Sequence, residues 1–168
     1  MQLLGSGTIF REVVAGAELL EKDWGVSSDL WSCPSFTELR RDGLSVERWN
    51  LLHPADKAKK SHVEACLEKY TGPVIASTDY MKAFADGIRN FIPRDGGKHR
   101  TYKALGTDGF GRSDTREKLR HFFEVNRYFV VVSALKALAE DGAIDAKVVA
   151  EAIKKYGIDP AKNDPTTV

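Results

Sequence analysis

The segment from residue 106 to residue 116 brings glycines and charged residues together directly after a predicted strand. Glycine tolerates backbone angles that other residues resist and lets another chain approach closely. Arginine holds carboxylates or backbone carbonyls with its forked guanidinium group. These residue types predict either a subunit contact or a lid over an active site built elsewhere. The residues concerned are Asp108, Gly109, Gly111, Arg112, Ser113, Asp114 and Arg116.

An alternative interpretation of the same loop is an ordered turn held by its own carboxylates. Asp108 and Asp114 are placed to pair with the neighbouring positive charges inside the loop. Charge pairing within a loop satisfies the same side chains that a partner surface would satisfy. The sequence therefore leaves both interpretations open.

Two further turns could form a crevice that binds an anion. Gly5-Ser6-Gly7-Thr8 lies between a predicted strand and a predicted helix, where free backbone amides attract phosphate. Ser77-Thr78-Asp79 follows another predicted strand, and ligand crevices of open α/β sheets lie beyond the carboxyl ends of the strands. The candidate crevice therefore comprises Gly5, Ser6, Gly7, Ser77, Thr78 and Asp79.

The same crevice has a structural interpretation, which we favour. Phe10 stands where the dinucleotide fingerprint requires its third glycine, so a tight strand-to-helix turn explains the first segment. Asp79 could act as an acid, a base or a metal ligand, yet aspartate is also a preferred N-cap. We therefore predict that Asp79 caps the helix that follows it.

No complete catalytic or metal-binding set is present in the sequence. The four histidines lack ligand spacing with one another, and no G-x-S-x-G nucleophile motif occurs. Cys33 and Cys66 form neither a disulfide framework nor a metal motif, so we expect two buried free thiols. We therefore assign no catalytic, cofactor-binding or metal-binding residue.

Composition excludes several classes of protein. The 168 residues suit one globular domain, with 42% hydrophobic and 29% charged residues. A net charge of +1 gives no electrostatic reason to expect a nucleic-acid partner. No signal-peptide pattern and no apolar run of the roughly 18 residues of a membrane span occur, which favours the cytoplasm and no membrane partner. Because Gln2 already lies in a predicted strand, we expect a piece of a longer protein.

The elements that must position these residues alternate between strand and helix. Four short apolar runs predict strands at 2–5, 29–33, 73–77 and 101–105. Helices are predicted at 8–24, 35–41 (ending near Gly43), 46–52, 61–70 (opened by Ser61 and Glu64 at capping-box spacing), 80–91, 115–123 (capped by Asp114 and Glu117), 128–141 and 145–156 (capped by Asp145).

This alternation predicts a three-layer α/β/α fold with a mainly parallel sheet of about four strands in the order 2-1-3-4. We expect one domain over residues 1–158 and a loose C-terminal tail over 159–168.

Several runs together resemble one enzyme family. The run GTDGFGRSDTREKLRHFFEV, followed by Tyr128-Phe-Val-Val-Val-Ser-Ala-Leu, resembles the C-terminal end of the homodimeric type of pyruvate dehydrogenase first component. Further matches are Gln2-Leu-Leu-Gly-Ser-Gly-Thr, Ser35-Phe-Thr-Glu-Leu, Glu47-Arg-Trp-Asn, Leu52-His-Pro and Ala76-Ser-Thr-Asp-Tyr-Met-Lys. The matches run in order along the whole chain.

The resemblance implies a fold like the C-terminal domain of transketolases, in an oxidoreductase that decarboxylates pyruvate and acetylates a lipoyl group. Thiamine diphosphate and Mg²⁺ are then expected in two other domains of the parent enzyme, and neither in this chain. The family's mixed sheet has an extra edge strand that precedes the first strand here.

The resemblance also implies partners and a place in metabolism. The expected partners are the other domains of the same enzyme, the second subunit of a homodimer and a lipoyl-bearing dihydrolipoamide acetyltransferase. The enzyme would link glycolysis to acetyl-CoA, and this chain alone would be an inactive supporting domain. The alternative from the residues is a standalone α/β module that binds phosphate or nucleotide at the strand carboxyl ends.

Overall fold

Four strands form one sheet in the computed structural model of the protein, which describes residues 1–168. The strands are β1 (Gln2–Gly5), β2 (Asp29–Ser32), β3 (Val74–Ser77) and β4 (Tyr102–Leu105). All pair in parallel in the order β2-β1-β3-β4, with Leu3 beside Leu30 and Ile75. The predicted sheet and its order are confirmed, because short apolar runs separated by helices specify parallel strands.

Seven α-helices and two short 3₁₀ segments connect and cover the strands. The 3₁₀ segments are Gly7–Ile9 and Arg89–Phe91. The helices are α1 (Phe10–Trp24), α2 (Phe36–Leu52), α3 (His62–Leu67), α4 (Lys82–Asp86), α5 (Arg116–Phe122), α6 (Arg127–Glu140) and α7 (Ala146–Lys155). No helix combines the length and the apolar character that crossing a membrane requires.

The sheet separates two apolar cores, as a three-layer fold requires. Successive strand residues point to opposite faces, so Leu3 and Ile75 enter one core while Leu4 and Ala76 enter the other. The first core also contains buried residues of α1, α6 and α7: Val13, Leu20, Val130, Leu135 and Val149. The second contains residues of α2, α3 and the segment around α4: Phe36, Val63, Leu67, Ala85, Ile88 and Phe91.

Gly43 does not end a helix, so the predicted break in α2 is wrong. α2 runs without interruption from Phe36 to Leu52, and Gly43 is buried within it. A Cβ atom at position 43 would overlap the ring of Phe91 and lie 2.6 Å from its Cγ. The glycine therefore serves the close packing of Phe91 on α2 rather than a turn.

The helix predicted at 80–91 is shorter and begins later than expected. It is divided into α4 and the 3₁₀ segment Arg89–Phe91. Met81 precedes α4 and supplies no side-chain cap, so the predicted N-cap role of Asp79 is wrong. Asp79 instead receives a 3.4 Å hydrogen bond from the Thr8 hydroxyl on its Oδ2 atom.

Among the other predicted N-caps, Asp114 is wrong, whereas Ser61 and Asp145 are confirmed. Thr115, not Asp114, caps α5 by accepting a hydrogen bond from the Lys118 amide, while Asp114 Oδ1 accepts from the Thr115 amide at 2.7 Å. The capping box of Ser61 and Glu64 and the Asp145 cap of α7 are confirmed.

Residues 159–168 contain turns rather than helix or strand, and they contact the body of the protein. Lys162 Nζ lies 2.8 Å from Glu124 Oε1 and donates to the Phe122 carbonyl at 3.1 Å. Pro165 is buried, and its carbonyl lies directly against Gly109. The tail is thus held against the loop at 106–116 in this structure.

Candidate functional site

The two turns of the predicted crevice lie side by side at the carboxyl edge of the sheet. Strands β1 and β3 are neighbours, and the buried Ser6 hydroxyl donates a 2.8 Å hydrogen bond to Thr78 Oγ1. Ser6, Gly7, Thr78 and Asp79 line a cleft of about 570 Å³. Ser77 is fully buried outside this cleft, and its hydroxyl has no hydrogen-bond partner.

The chemistry of this cleft is unfavourable for an anion. Gly7 has a φ of 53°, and a Cβ atom there would lie 3.4 Å from Asp79 Oδ1. A carboxylate therefore already occupies the space beside the start of the helix, where amides would attract a phosphate. The lining includes no lysine, arginine or histidine to offset this negative charge.

The first part of the loop at 106–116 is fixed to the segment that follows β3. The Thr107 amide donates to the Tyr80 carbonyl at 2.9 Å, and the Thr107 hydroxyl donates to the Asp79 carbonyl at 2.8 Å. A Cβ atom on Gly106 would lie 2.6 Å from the Tyr80 carbonyl oxygen. Asp108 accepts from the Lys82 amide at 3.2 Å, so this part is an ordered turn.

The remainder of the loop is exposed. Gly109 has a φ of 106° and packs on the Pro165 carbonyl, which leaves no room for a side chain. Phe110 is 79% exposed. Arg112 stacks over the Phe122 ring at 4.8 Å from its centroid, and neither Arg112 nor Arg116 forms a salt bridge. The loop thus presents arginines without carboxylate partners beside an exposed aromatic ring.

Both carboxylates of this loop pair with lysines rather than with its arginines. Asp108 lies 3.7 Å from Lys82 Nζ, and Asp114 lies 3.7 Å from Lys118 Nζ. Ser113 is exposed. The loop therefore combines a pinned first half with a free basic second half. Its role in subunit contact stays a prediction.

Three more exposed apolar side chains adjoin this loop and were not predicted from the sequence. Tyr80 is 66% exposed, and Met81 and Phe84 are exposed as well. Tyr80 and Phe84 meet edge to face at 5.5 Å. We call Tyr80, Met81 and Phe84 the carboxyl-edge patch, and Phe110 is exposed on the loop that follows β4. Exposed apolar side chains that cluster in this way are typical of interaction surfaces.

A buried ion cluster at Glu12 holds the start of α6 and the end of α5 against α1. Glu12 is 5% exposed. It accepts from Arg120 at 2.9 Å and from both the amide and the Nε of Arg127 at 3.0 Å. Burial alone would raise the pKa of Glu12, but hydrogen bonds and charge from Arg127, with the charge of Arg120, bring that pKa below its usual value.

This cluster was not predicted from the sequence, although a signal for it existed. Glu12 falls on the same helical face as Ile9, Val13 and Gly16, so it is an acidic residue within an apolar stripe. Such a position predicts a buried charge that requires a partner.

The chain does not offer a site for the cofactors of the family that it resembles. No group of three or more histidine, cysteine, aspartate or glutamate side chains could hold a metal ion. The Asp79 carboxylate also lies beside Gly7, where a bound diphosphate would require positive rather than negative charge. The residues present therefore do not fit Mg²⁺ or thiamine diphosphate.

Comparison with known protein families accounts for this combination of fold and incomplete site. The transketolase-like TK C-terminal domain family matches residues 1–126. The chain belongs to this family. A solved split-gene transketolase, described as an inactive beta4 tetramer, has the same fold with a TM-score of 0.51 and 15% identity. That likeness covers 82% of this chain and 39% of the other.

Curated relatives are much longer than this chain. The pyruvate dehydrogenase E1 component of Cupriavidus necator is 66% identical over 168 residues, which is all of this chain and 18% of that protein. The corresponding proteins of Pseudomonas aeruginosa and Escherichia coli K12 are 63% and 53% identical over 165 residues, again 98% of this chain and 18% of each relative. The resemblance to the C-terminal part of this enzyme is confirmed.

Proposed function

We propose that this chain is the non-catalytic C-terminal supporting domain of a cytoplasmic, homodimeric pyruvate dehydrogenase E1 component. The observation that carries the proposal is 66% identity along the whole chain to a protein of that name, of which it spans only 18%. The parent enzyme would decarboxylate pyruvate with thiamine diphosphate and Mg²⁺ and acetylate the lipoyl group of dihydrolipoamide acetyltransferase. The chemical steps would belong to polypeptide outside this chain.

The side chains of the domain support a structural role. Asp79 packs beside Gly7, and its contact with the Thr8 hydroxyl is 3.4 Å, longer than the roughly 2.6–3.2 Å at which a base activates a nucleophile. Glu12 is neutralised by Arg120 and Arg127, so it is not free to act as a base. A catalytic pair requires a nucleophile and a base within hydrogen-bond reach, and neither carboxylate belongs to one.

We expect no binding of thiamine diphosphate to the isolated chain, because no part of it combines a metal site with positive charge. Calorimetric titration of the 168-residue chain with thiamine diphosphate and Mg²⁺ should give no heat that corresponds to a Kd tighter than about 1 mM. Pyruvate decarboxylation should stay at the buffer rate. A micromolar Kd would overturn the proposal, and a parallel titration with inorganic phosphate tests the crevice alone.

The surface that we assign to contact with the rest of the enzyme is the carboxyl-edge patch with the exposed part of the loop at 106–116. This surface combines exposed aromatic rings with Arg112 and Arg116, which form no salt bridge. Aromatic residues and arginine are the types enriched at protein interfaces. Domain interfaces within one chain commonly bury roughly 600–1,500 Å². The occupant would be another domain of the same enzyme or the second subunit.

In the full-length enzyme, the double variant Phe110→Ser, Arg112→Ala should either raise the dissociation constant of the dimer or lower the turnover rate of the enzyme by about tenfold, as expected for the loss of interface anchors. The unfolding midpoint of the 168-residue chain should stay the same, since both side chains are exposed. Sedimentation velocity and steady-state rates measure the effect. Arg41→Ala, an exposed arginine on α2, is the matched control. An unchanged dimer with an unchanged rate would show that the loop serves the domain's own fold only.

A further inference from the structure

One small apolar pocket between α3 and the end of β2 contains three side chains with nucleophilic or basic atoms. Cys33, His62 and Cys66 all line this pocket, whose volume is about 110 Å³. Apart from Ser32, the rest of its wall is apolar and includes Trp31, Leu39, Val63, Leu67 and Ile88. The pocket shares no residue with the carboxyl-edge patch or with the loop at 106–116.

Cys66 has an imidazole beside its thiol. Cys66 and His62 are four residues apart on α3, which places them on one helix face. Cys66 Sγ lies 3.5 Å from His62 Nε2. Thiolate, rather than thiol, is the nucleophile in cysteine chemistry, and an adjacent imidazole promotes its formation. Cys66 is half-buried rather than buried as predicted, and His62 is exposed, so a reagent can reach the pair from solvent.

Cys33 in the same pocket has the opposite character. It is 6% exposed, and its thiol donates to the Trp31 carbonyl over 3.9 Å. Burial raises the pKa of the Cys33 thiol to about 12, so this thiol stays protonated at neutral pH. The chain therefore provides an inert cysteine as an internal reference for the reactive one.

We propose that Cys66 is a site of covalent modification by small apolar electrophiles of the α,β-unsaturated carbonyl class, with His62 as the proton acceptor. The Cys66 S–H bond breaks, and its proton passes to His62 Nε2. A bond forms between Sγ and the β-carbon of the electrophile while the carbon–carbon π bond breaks. The α-carbon then takes a proton from the imidazolium or from water. The addition consumes no oxidant or reductant, and the adduct has the summed mass of both reactants.

The lining of the pocket selects this class of ligand over the alternatives. Trp31, Leu39 and Ile88 offer apolar contact to the body of the reagent, as is usual for small-molecule pockets. A metal ion is not the occupant, because no group of three or more metal-ligating side chains is arranged to hold one. A disulfide between the two cysteines would need an external oxidant, whereas addition needs only the electrophile.

Time-resolved peptide mass spectrometry of the 168-residue chain with N-ethylmaleimide at pH 7 tests this proposal. Cys66 should react at least about tenfold faster than Cys33, and His62→Gln should slow Cys66 by at least about tenfold, as expected for loss of a positioned base. Equal rates at the two cysteines, or a Cys66 rate that His62→Gln leaves unchanged, would overturn it.

Two controls keep the result interpretable. His99→Gln removes an imidazole that does not line the pocket, and this variant should retain the wild-type rate at Cys66. In urea both cysteines of the wild-type chain should react equally, so the native ratio decides the proposal even if His62→Gln does not fold. A maleimide that carries a carboxylate should lose rate at Cys66 relative to free cysteine, and equal rates would contradict the apolar selectivity.

Discussion

Replacing Glu12 by alanine should lower the free energy of unfolding by about 3 kcal/mol, the low end of the range for breaking a buried ion pair. The variant leaves Arg120 and Arg127 without the carboxylate that they share, and it removes the acceptor of the Arg127 amide. The low end applies because the Arg127 side chain is 43% exposed and can recover water contacts.

Urea unfolding followed by circular dichroism measures this loss. Glu21→Ala is the matched control, because Glu21 is an exposed acid on the same helix with no salt bridge. Its effect should stay within about 0.5 kcal/mol, as for most surface substitutions. A Glu12→Ala variant as stable as Glu21→Ala would show that the cluster contributes no net stability.

The pH dependence of the same comparison follows from the lowered pKa of Glu12. The folded state binds the Glu12 proton less tightly than the unfolded chain, where a glutamate has a pKa of about 4.3. The stabilisation is thus complete above the unfolded-state pKa and is lost as the pH falls through the folded-state pKa. The stability gap between wild type and Glu12→Ala should be constant from pH 7 to about pH 5 and shrink in more acidic solution. If the stability difference between wild type and Glu12→Ala widened on acidification, the ionised Glu12 carboxylate would not be its source.

The strands were predictable because their signals are local. Runs such as Leu3–Leu4 and Val74–Ala76 are short, apolar and bounded by turn residues, and alternation with helices then specifies a parallel sheet. The same holds for the capping box at Ser61, whose partner Glu64 lies three residues away. Interactions within one turn of chain are visible in the sequence.

For Asp79 and Glu12 the sequence failed for a different reason. Asp79 has the type of an N-cap, but its carboxylate lies beside Gly7, about 70 residues away in sequence. Glu12 finds its two arginines more than 100 residues later. A local pattern indicates which interactions a residue can form, and the neighbours of that residue in the folded structure determine which of them it does form.

For the candidate site, too, the local features were predictable from the sequence and the tertiary contacts were not. The loop at 106–116 could be located from its glycines and charges, and its resemblance to a family needed only the run itself. That the exposed Tyr80 and Phe84 lie next to the start of this loop depends on how the loop is hydrogen-bonded to the segment after β3. The spacing of four between His62 and Cys66 was visible, but the shared pocket with Cys33 was not.

Gly43→Ala should destabilise the protein by about 2 kcal/mol, although alanine is the better helix former by about 1 kcal/mol. The new methyl group would overlap the ring of Phe91, which is 5% exposed and packed in the second core. Overpacking of a buried site typically costs about 1–3 kcal/mol, and the propensity gain offsets only part of it. Chemical denaturation of the variant gives the free energy directly.

A double variant separates this packing role from a role in ending the helix. Phe91→Leu provides space for the methyl group, so Gly43→Ala combined with Phe91→Leu should cost less than the sum of the two single losses by at least about 0.5 kcal/mol. Gly111→Ala, at a position with open space, is the control and should be near neutral. If Gly43 merely interrupted α2, alanine there would stabilise the protein and Phe91→Leu would not alter that gain. The sign of the Gly43→Ala effect therefore distinguishes a glycine selected for its missing side chain from one selected for its backbone freedom.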